Sequence, residues 1–385
     1  MSEKLKTGEV KMQNNLTKKE LDALCKWAKE FQIKDLDSEE KILNIKELEI
    51  DNSSFNLPEI KYFPKEFFKL ASLDSFYIVG DKIKCNLKNI IKNIGKLTNL
   101  KSLTIICDIK KLPKDIFNLI NLEKLGIYSD SLKKLPSEIG KLTNIKELYI
   151  YHSSYLHELP KEIGNLINLE YLEIKSSNKD FNGIPEEIRN LTNLKSLKIN
   201  YWDMKTLPKE IFNLANLESL TINCLKLLEL PSDIEKLTSL KELDIVSVEL
   251  EKLPKEIGNL SNLEKLSIGH DGYCNLEELP SEIGKLINLK ELNITISNLN
   301  KLPKEIEDLV NLEKLDISCE NLEKLSEEIG NLINLKEFNI RCPKLKKLPK
   351  EIGDLSNLEK LYIHCDSLEE LPKEIMNLTK LKTKL

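Results

Sequence analysis

Histidine, cysteine and aspartate stand in a row at His364, Cys365 and Asp366, inside the stretch LYIHCDSLEELP (361–372). These are the residue types of a thiolate nucleophile with its base, or of a metal site. Cys319 and Cys342 precede Cys365 at even intervals of 23 residues. The residues in the same phase elsewhere decide between chemistry and architecture. Cys107, Cys224, Cys319, Cys342 and Cys365 each follow an isoleucine by two residues (Ile105, Ile222, Ile317, Ile340, Ile363), and Ser129, Ser176 and Ser247 share that phase. Strand alternation turns this phase inward, and buried cysteine behaves as a small hydrophobe. A core ladder of small side chains is therefore expected. His364 and Cys365, as neighbours in a strand, point to opposite faces, which is poor geometry for a dyad.

Other chemistry is thinly supported. The sequence holds no C-x-x-C pair, no G-x-x-x-x-G-K-[ST], no G-x-G-x-x-G and no H-E-x-x-H, and its four histidines (His152, His157, His270, His364) are scattered. Catalytic residues, metal ligands and cofactors are accordingly not expected. A thiol-based metal or redox protein built on Cys319, Cys342 and Cys365 is the minor alternative.

The elements that position these residues are written as one repeated unit from about residue 42 onward. It is clearest in LPKEIGNLINLEYLEI (159–174) and LPKEIGDLSNLEKLYI (348–363), and it recurs fourteen times from Phe63 to Leu371, mostly at 23-residue spacing. The segment Leu-x-x-Leu-x-Ile alternates at period two, as a strand with one buried face must. Its last apolar position is isoleucine in every unit, from Ile50 to Ile363. The segment Pro-x-Glu-Ile-Gly-x-Leu predicts a short helix or 3-10 turn with proline at the first helical position and glutamate near the positive end. Asparagine before the strand (Asn121, Asn144, Asn168, Asn216, Asn311, Asn357) turns the chain from helix back to strand. One unit cannot bury its apolar face, so the units must stack.

These units resemble the 23-residue leucine-rich repeats of plant intracellular Ras-group proteins, animal Ras-suppressor-type proteins and many bacterial proteins. The resemblance is carried by the recurrent LPKEIGNL and NLEKLxI strings across about 42–385, and LCKWAKE (24–30) resembles the entry segment of some bacterial members. It implies a binding scaffold without specifying the partner. The expected fold is α/β: a leucine-rich repeat solenoid, a curved right-handed horseshoe with a parallel concave sheet and short helices or 3-10 turns on the convex side. One departure is clear. Three residues after the last strand apolar, where such repeats place a ladder of asparagines, this chain has Asp130, Ser153, Ser177, Trp202, Leu225, Val248, Ser297, Glu320, Pro343 and Asp366.

Residues 1–41 read as a polar tail and helical cap, and 42–385 as the solenoid. Thr17 and Glu20 stand at capping-box spacing, with Leu21, Leu24, Ala28 and Phe31 on one helical face. At the other end, Lys384 occupies the position of Leu361, so the last strand is polar and partial, and no further domain is expected. Among 385 residues, 41% are apolar and 31% charged, and 58 basic against 63 acidic residues leave a net charge of -5. The charges interleave without a basic block, so neither nucleic acid nor membrane is an expected partner. The start, MSEKLKTGEVKMQNN, lacks the apolar core of a signal peptide, and eight cysteines without paired spacing suit a reducing cytosol. Export without a cleaved signal stays open.

What remains is a surface for a protein or peptide. Tyr128, Tyr149, Tyr151 and Tyr171 fall at outward phases, and Tyr201 with Trp202 ends the next strand, in a chain only 6% aromatic. Aromatic side chains anchor interfaces because they bury much area at little entropic cost. The plainer alternative is that each ring covers a neighbouring strand. Longer repeats at 175–185 and 269–280 mark loops, and His270, Asp271 and Tyr273 are candidate secondary contacts. The expectation is a non-enzymatic interaction scaffold; the second reading is a secreted or translocated effector or adaptor acting on a host or signalling enzyme.

Overall fold

In the computed structural model, the described residues are 16–51, 58, 60, 62–80, 93–152, 155–176, 183–269 and 274–382, and the chain divides into two compact units, 1–156 and 157–385.

The first unit opens with helix α1 (Lys18–Glu30). Thr17 caps it as expected: its side chain accepts from the Glu20 amide, while the Thr17 amide donates to Glu20 Oε2 at 2.9 Å. Leu21, Leu24, Trp27 and Ala28 are its buried face. Trp27 packs its ring against Phe63 at 5.0 Å and 48° and donates its Nε1–H to the Tyr62 carbonyl at 2.9 Å, so both its apolar body and its polar handle are satisfied. Phe67 and Phe76 continue this aromatic seal at 5.5 Å. After α2 (Glu39–Asn44) come β1 (Glu47–Asp51), β2 (Ser75–Gly80), β3 (Ser102–Cys107), β4 (Lys124–Tyr128) and β5 (Glu147–His152). Each pairs in parallel with the next, in a register that aligns Ile50, Ile78, Ile105, Ile127 and Ile150.

The second unit repeats the pattern in β6 (Tyr171–Ser176), β7 (Ser196–Tyr201), β8 (Ser219–Asn223), β9 (Glu242–Val246), β10 (Lys265–Ile268), β11 (Glu291–Thr295), β12 (Lys314–Ser318), β13 (Glu337–Arg341) and β14 (Lys360–His364). Its parallel register aligns the isoleucines from Ile174 to Ile363. With β-branched side chains in register, the inward positions of neighbouring strands pack as rows. From Leu172 to Ile340 every strand leucine, phenylalanine or isoleucine on this face is essentially buried.

Short 3-10 turns separate the strands in both units. Proline precedes most of these turns rather than opening them: Pro113 has φ -64 and ψ 137, an extended conformation, and its carbonyl accepts from the Ile116 amide at 3.2 Å. The ring fixes φ for the cap, and the missing N–H costs nothing outside the turn. Glycine in the turn has a steric reason: a Cβ on Gly258 would lie 2.4 Å from the Glu282 carbonyl of the next repeat.

The asparagines before the strands do more than turn the chain. Asn121 and Asn144 donate side-chain N–H to the carbonyls of Thr98 and Ile120 at 2.9 Å, and Asn311, Asn334 and Asn357 do the same to Ile287, Val310 and Ile333 at 2.7–2.8 Å. Each bond crosses to the preceding repeat. An asparagine ladder thus exists in this chain, at the entry to the strands instead of beyond their ends.

Candidate interaction surface

The cluster at 364–366 resolves into architecture. His364 and Asp366 are exposed while Cys365 turns inward, its thiol directed at the Ile340 carbonyl at 3.9 Å. Cys342 makes the same contact with Ile317 at 4.0 Å. Cys107, Cys224, Cys274, Cys319 and Cys342 are all buried. Burial raises the Cys365 thiol and pushes Cys224 up to about 12, while the hydrogen bond shared by the buried Cys319 and Cys342 thiols raises Cys319 and lowers Cys342. Raised thiols at Cys224 and Cys365 are the opposite of activated nucleophiles, and Cys342 is fully buried. In the same phase Ser129 donates to the Ile109 carbonyl at 2.9 Å and Ser247 to that of Leu227 at 2.8 Å, so serine ties this position to the preceding repeat. The phase is less uniform than expected, because Tyr201 and Ile296 occupy it too. Among the described residues no group of three or more His, Cys, Asp or Glu is placed to hold a metal ion, and no helix is long and apolar enough to cross a membrane.

On the strand face of the first unit the outward positions form rows across the strands. One row runs Val79, Ile106, Tyr128, Tyr151, and the next runs Tyr77, Thr104, Gly126, Tyr149. The rings of Tyr128 and Tyr151 stack at 4.5 Å and 7°. Gly126 gives the Tyr128 ring room to lean over the sheet, since a Cβ there would lie 3.2 Å from Tyr128 Cε2. Tyr149 donates its hydroxyl to Glu147 at 2.9 Å, and Lys124 sits 5.0 Å from its ring centre while pairing with Glu147 at 2.8 Å. The lysine hydrogen bond lowers the Glu147 carboxyl, and Glu147 in turn raises Lys124; burial, followed by the bond to Glu147, raises the Tyr149 phenol. Val79, Ile106, Tyr128, Tyr149 and Tyr151 are all half-buried, with one side still open to solvent.

The second unit holds the other three aromatics, and they do not form a comparable group. Tyr171 opens β6, donating its hydroxyl to Glu173 at 2.7 Å, with Lys198 5.8 Å from its ring centre. Tyr201 is a correction: it is 4% exposed, in the core, because strand alternation carries through the end of β7. Trp202 is 51% exposed, just beyond β7, and its carbonyl accepts from the Lys226 amide of the following repeat at 3.1 Å. Tyr171 pairs with Ser196, six residues before Trp202, which puts the two rings on the order of 15–20 Å apart along the strands. His270, Asp271 and Tyr273 lie outside the described residues.

Ile106, Val79 and Tyr77 are the contributors that sequence reasoning missed. Their signal is visible in SFYIVG (75–80) and SLTIIC (102–107), where an apolar residue follows the inward isoleucine at an outward phase.

The leucine-rich repeat region model matches residues 60–206 and 157–278, and this chain belongs to the leucine-rich repeat proteins. None of the curated proteins matches it. Among solved structures it is similar to a leucine-rich repeat protein of Leptospira interrogans, with 28% identity over 89% of this chain and 96% of that one and a TM-score of 0.57. It is also similar to the ectodomain of a plant membrane receptor kinase of Arabidopsis thaliana, solved in complex with Casparian strip integrity factor 2. There the identity is 26%, the TM-score 0.60, and the match covers 83% of this chain but 39% of the plant chain. An internalin of Listeria monocytogenes shares the fold, with a TM-score of 0.54 and 20% identity over 94% of this chain and 93% of the internalin.

Proposed function

We propose that this chain is a non-enzymatic scaffold that binds a protein or peptide on the strand face of its first unit. The observation that carries this reading is the row Val79, Ile106, Tyr128, Tyr151, four apolar side chains in register on the outward side of a sheet. Outward positions on such a strand are free to be polar, so an unbroken apolar row there marks a surface that a partner covers. The plant receptor ectodomain, solved with a bound partner, supports ligand binding as a use of this fold. Tyr171 and Trp202 are proposed as lesser contacts of the second unit, and a cytosolic location is proposed from eight cysteines without paired spacing.

The test is affinity capture from the source cell's lysate, read by mass spectrometry, with wild type beside Ile106→Asp/Tyr151→Asp and matched circular dichroism. Two buried anchors are worth about 2 kcal/mol or more, so the variant should lose its partner by at least roughly thirtyfold. Equal capture of the same proteins by both baits would remove this face as the interface.

A further inference from the structure

We infer that the partner of the first unit's strand face is a basic segment carrying apolar side chains. The inference rests on the reading above and adds the partner's chemistry. All three outward residues of β1 are acidic and exposed: Glu47, Glu49 and Asp51. The register sets Asp51 at the head of the row Val79, Ile106, Tyr128, Tyr151, and Glu49 at the head of the row from Tyr77 to Tyr149. Each apolar row therefore runs into a carboxylate. Two lysines beside the patch are engaged by other carboxylates, Lys46 by Asp74 at 3.7 Å and Lys124 by Glu147 at 2.8 Å. A partner cation over β1 meets an acidic column beside an apolar floor, where displaced water leaves the field less screened.

Spacing sets the arrangement of the partner. Four inter-strand steps separate β1 from β5, about 19 Å, which an extended chain crosses in about six residues. Lysine or arginine side chains over β1 would stand about three residues from apolar ones over Ile106, and further from those over Tyr128 and Tyr151. An acidic or neutral apolar segment would bury the same floor without complementing the negative charge of Glu47, Glu49 and Asp51.

The test is a display selection of random peptides, each long enough to span the patch, on the immobilised full chain. Selections on Glu47→Gln/Glu49→Gln/Asp51→Asn and on Ile106→Asp run in parallel, followed by anisotropy titration of the enriched peptides at low and physiological salt. Enriched sequences should combine Lys or Arg with apolar residues. Their affinity should fall on the order of tenfold on the charge-neutral variant and fall with salt, and Ile106→Asp should abolish binding. Peptides that require Ile106 but carry no basic bias, or bind the neutral variant equally, overturn the basic-partner inference while the binding face stands. Absence of any enrichment over a blank surface overturns both. A doubled mass in light scattering that Ile106→Asp abolishes assigns the face to a second copy of the chain and overturns the inference.

Discussion

The two units are built on the same inward ladder and turn different surfaces outward. In the first, β2 to β5 carry Val79, Ile106, Tyr128, Tyr149 and Tyr151 on the open side. In the second, from β7 to β13, the same side carries Ser, Thr, Asn, Asp, Glu, Lys and Arg, with Val246 the apolar exception among the described residues. Those polar groups largely answer one another across the strands: Asn339 donates to Asp316 at 2.9 Å, and Glu337 takes Lys360 at 3.0 Å and Lys314 at 3.9 Å. Such pairs contribute little stability individually and meet only part of this surface's hydrogen-bonding capacity, since Asn223 Oδ1 and Asn339 Oδ1 are buried without a hydrogen-bond partner among the described residues. The inward positions must pack and so are alike in both units; the outward ones carry no such demand, and that is where a departure has meaning. The apolar rows of the first unit are that departure.

The largest effect should come from testing which side each residue serves. Ile127→Ala in the first unit and Ile222→Ala in the second, both fully buried, should each cost about 3 kcal/mol. The outward Ile106→Ala and Thr221→Ala should cost about 1 kcal/mol or less. Thermal and denaturant unfolding of the four variants checks this. An outward cost equal to the inward one at Ile106 would mean that the row is core and would count against the proposed binding surface.

Next in size is the coupling between Tyr128 and Tyr151. A double-mutant cycle to alanine should return an interaction of about 1 kcal/mol from their stacking. The same cycle on Tyr171 and Trp202 should be additive to within about 0.5 kcal/mol, because those rings do not meet. Equal coupling in both cycles would erase the distinction between the two units.

The smallest effect concerns pH and the helix that closes the first unit. Lys69 hydrogen-bonds Glu20 at 2.6 Å and, with the Thr17 cap, lowers its carboxyl to about 2. A lowered folded-state value means that the contribution is complete above the ordinary value of 4.5 and is lost as pH falls toward 2. Wild type and Glu20→Gln should therefore differ in melting temperature at neutral pH and converge only as the pH falls to about 2, as followed by circular dichroism. A difference that persists unchanged at low pH would detach Glu20 from this linkage.

Much of the fold is legible in the residues themselves. Leu-x-x-Leu-x-Ile at period two specifies a strand with one buried face, and fourteen near-copies specify stacking. Proline, glutamate and glycine at set offsets specify the turns between. The proposed binding surface was legible only in part. Tyr128, Tyr149 and Tyr151 stand out as aromatics in a chain poor in them, whereas Ile106 and Val79 sit beside inward isoleucines and read as one more stretch of core. Tyr201 shows the reverse error, an aromatic that looks like an anchor and fills the interior.

The sequence by itself determined the period, the inward alternation, the capped first helix and the poor prospects for chemistry at His364 and Cys365, because each depends on neighbours a few residues away. Only the tertiary structure decided which outward residues share a row. Tyr128 stacks on Tyr151, Asn144 bonds the carbonyl of Ile120 and Asp51 heads the apolar row because parallel register brings together positions one repeat apart. Register is settled by the packing of whole strands, and the loops that set its spacing differ in length from repeat to repeat.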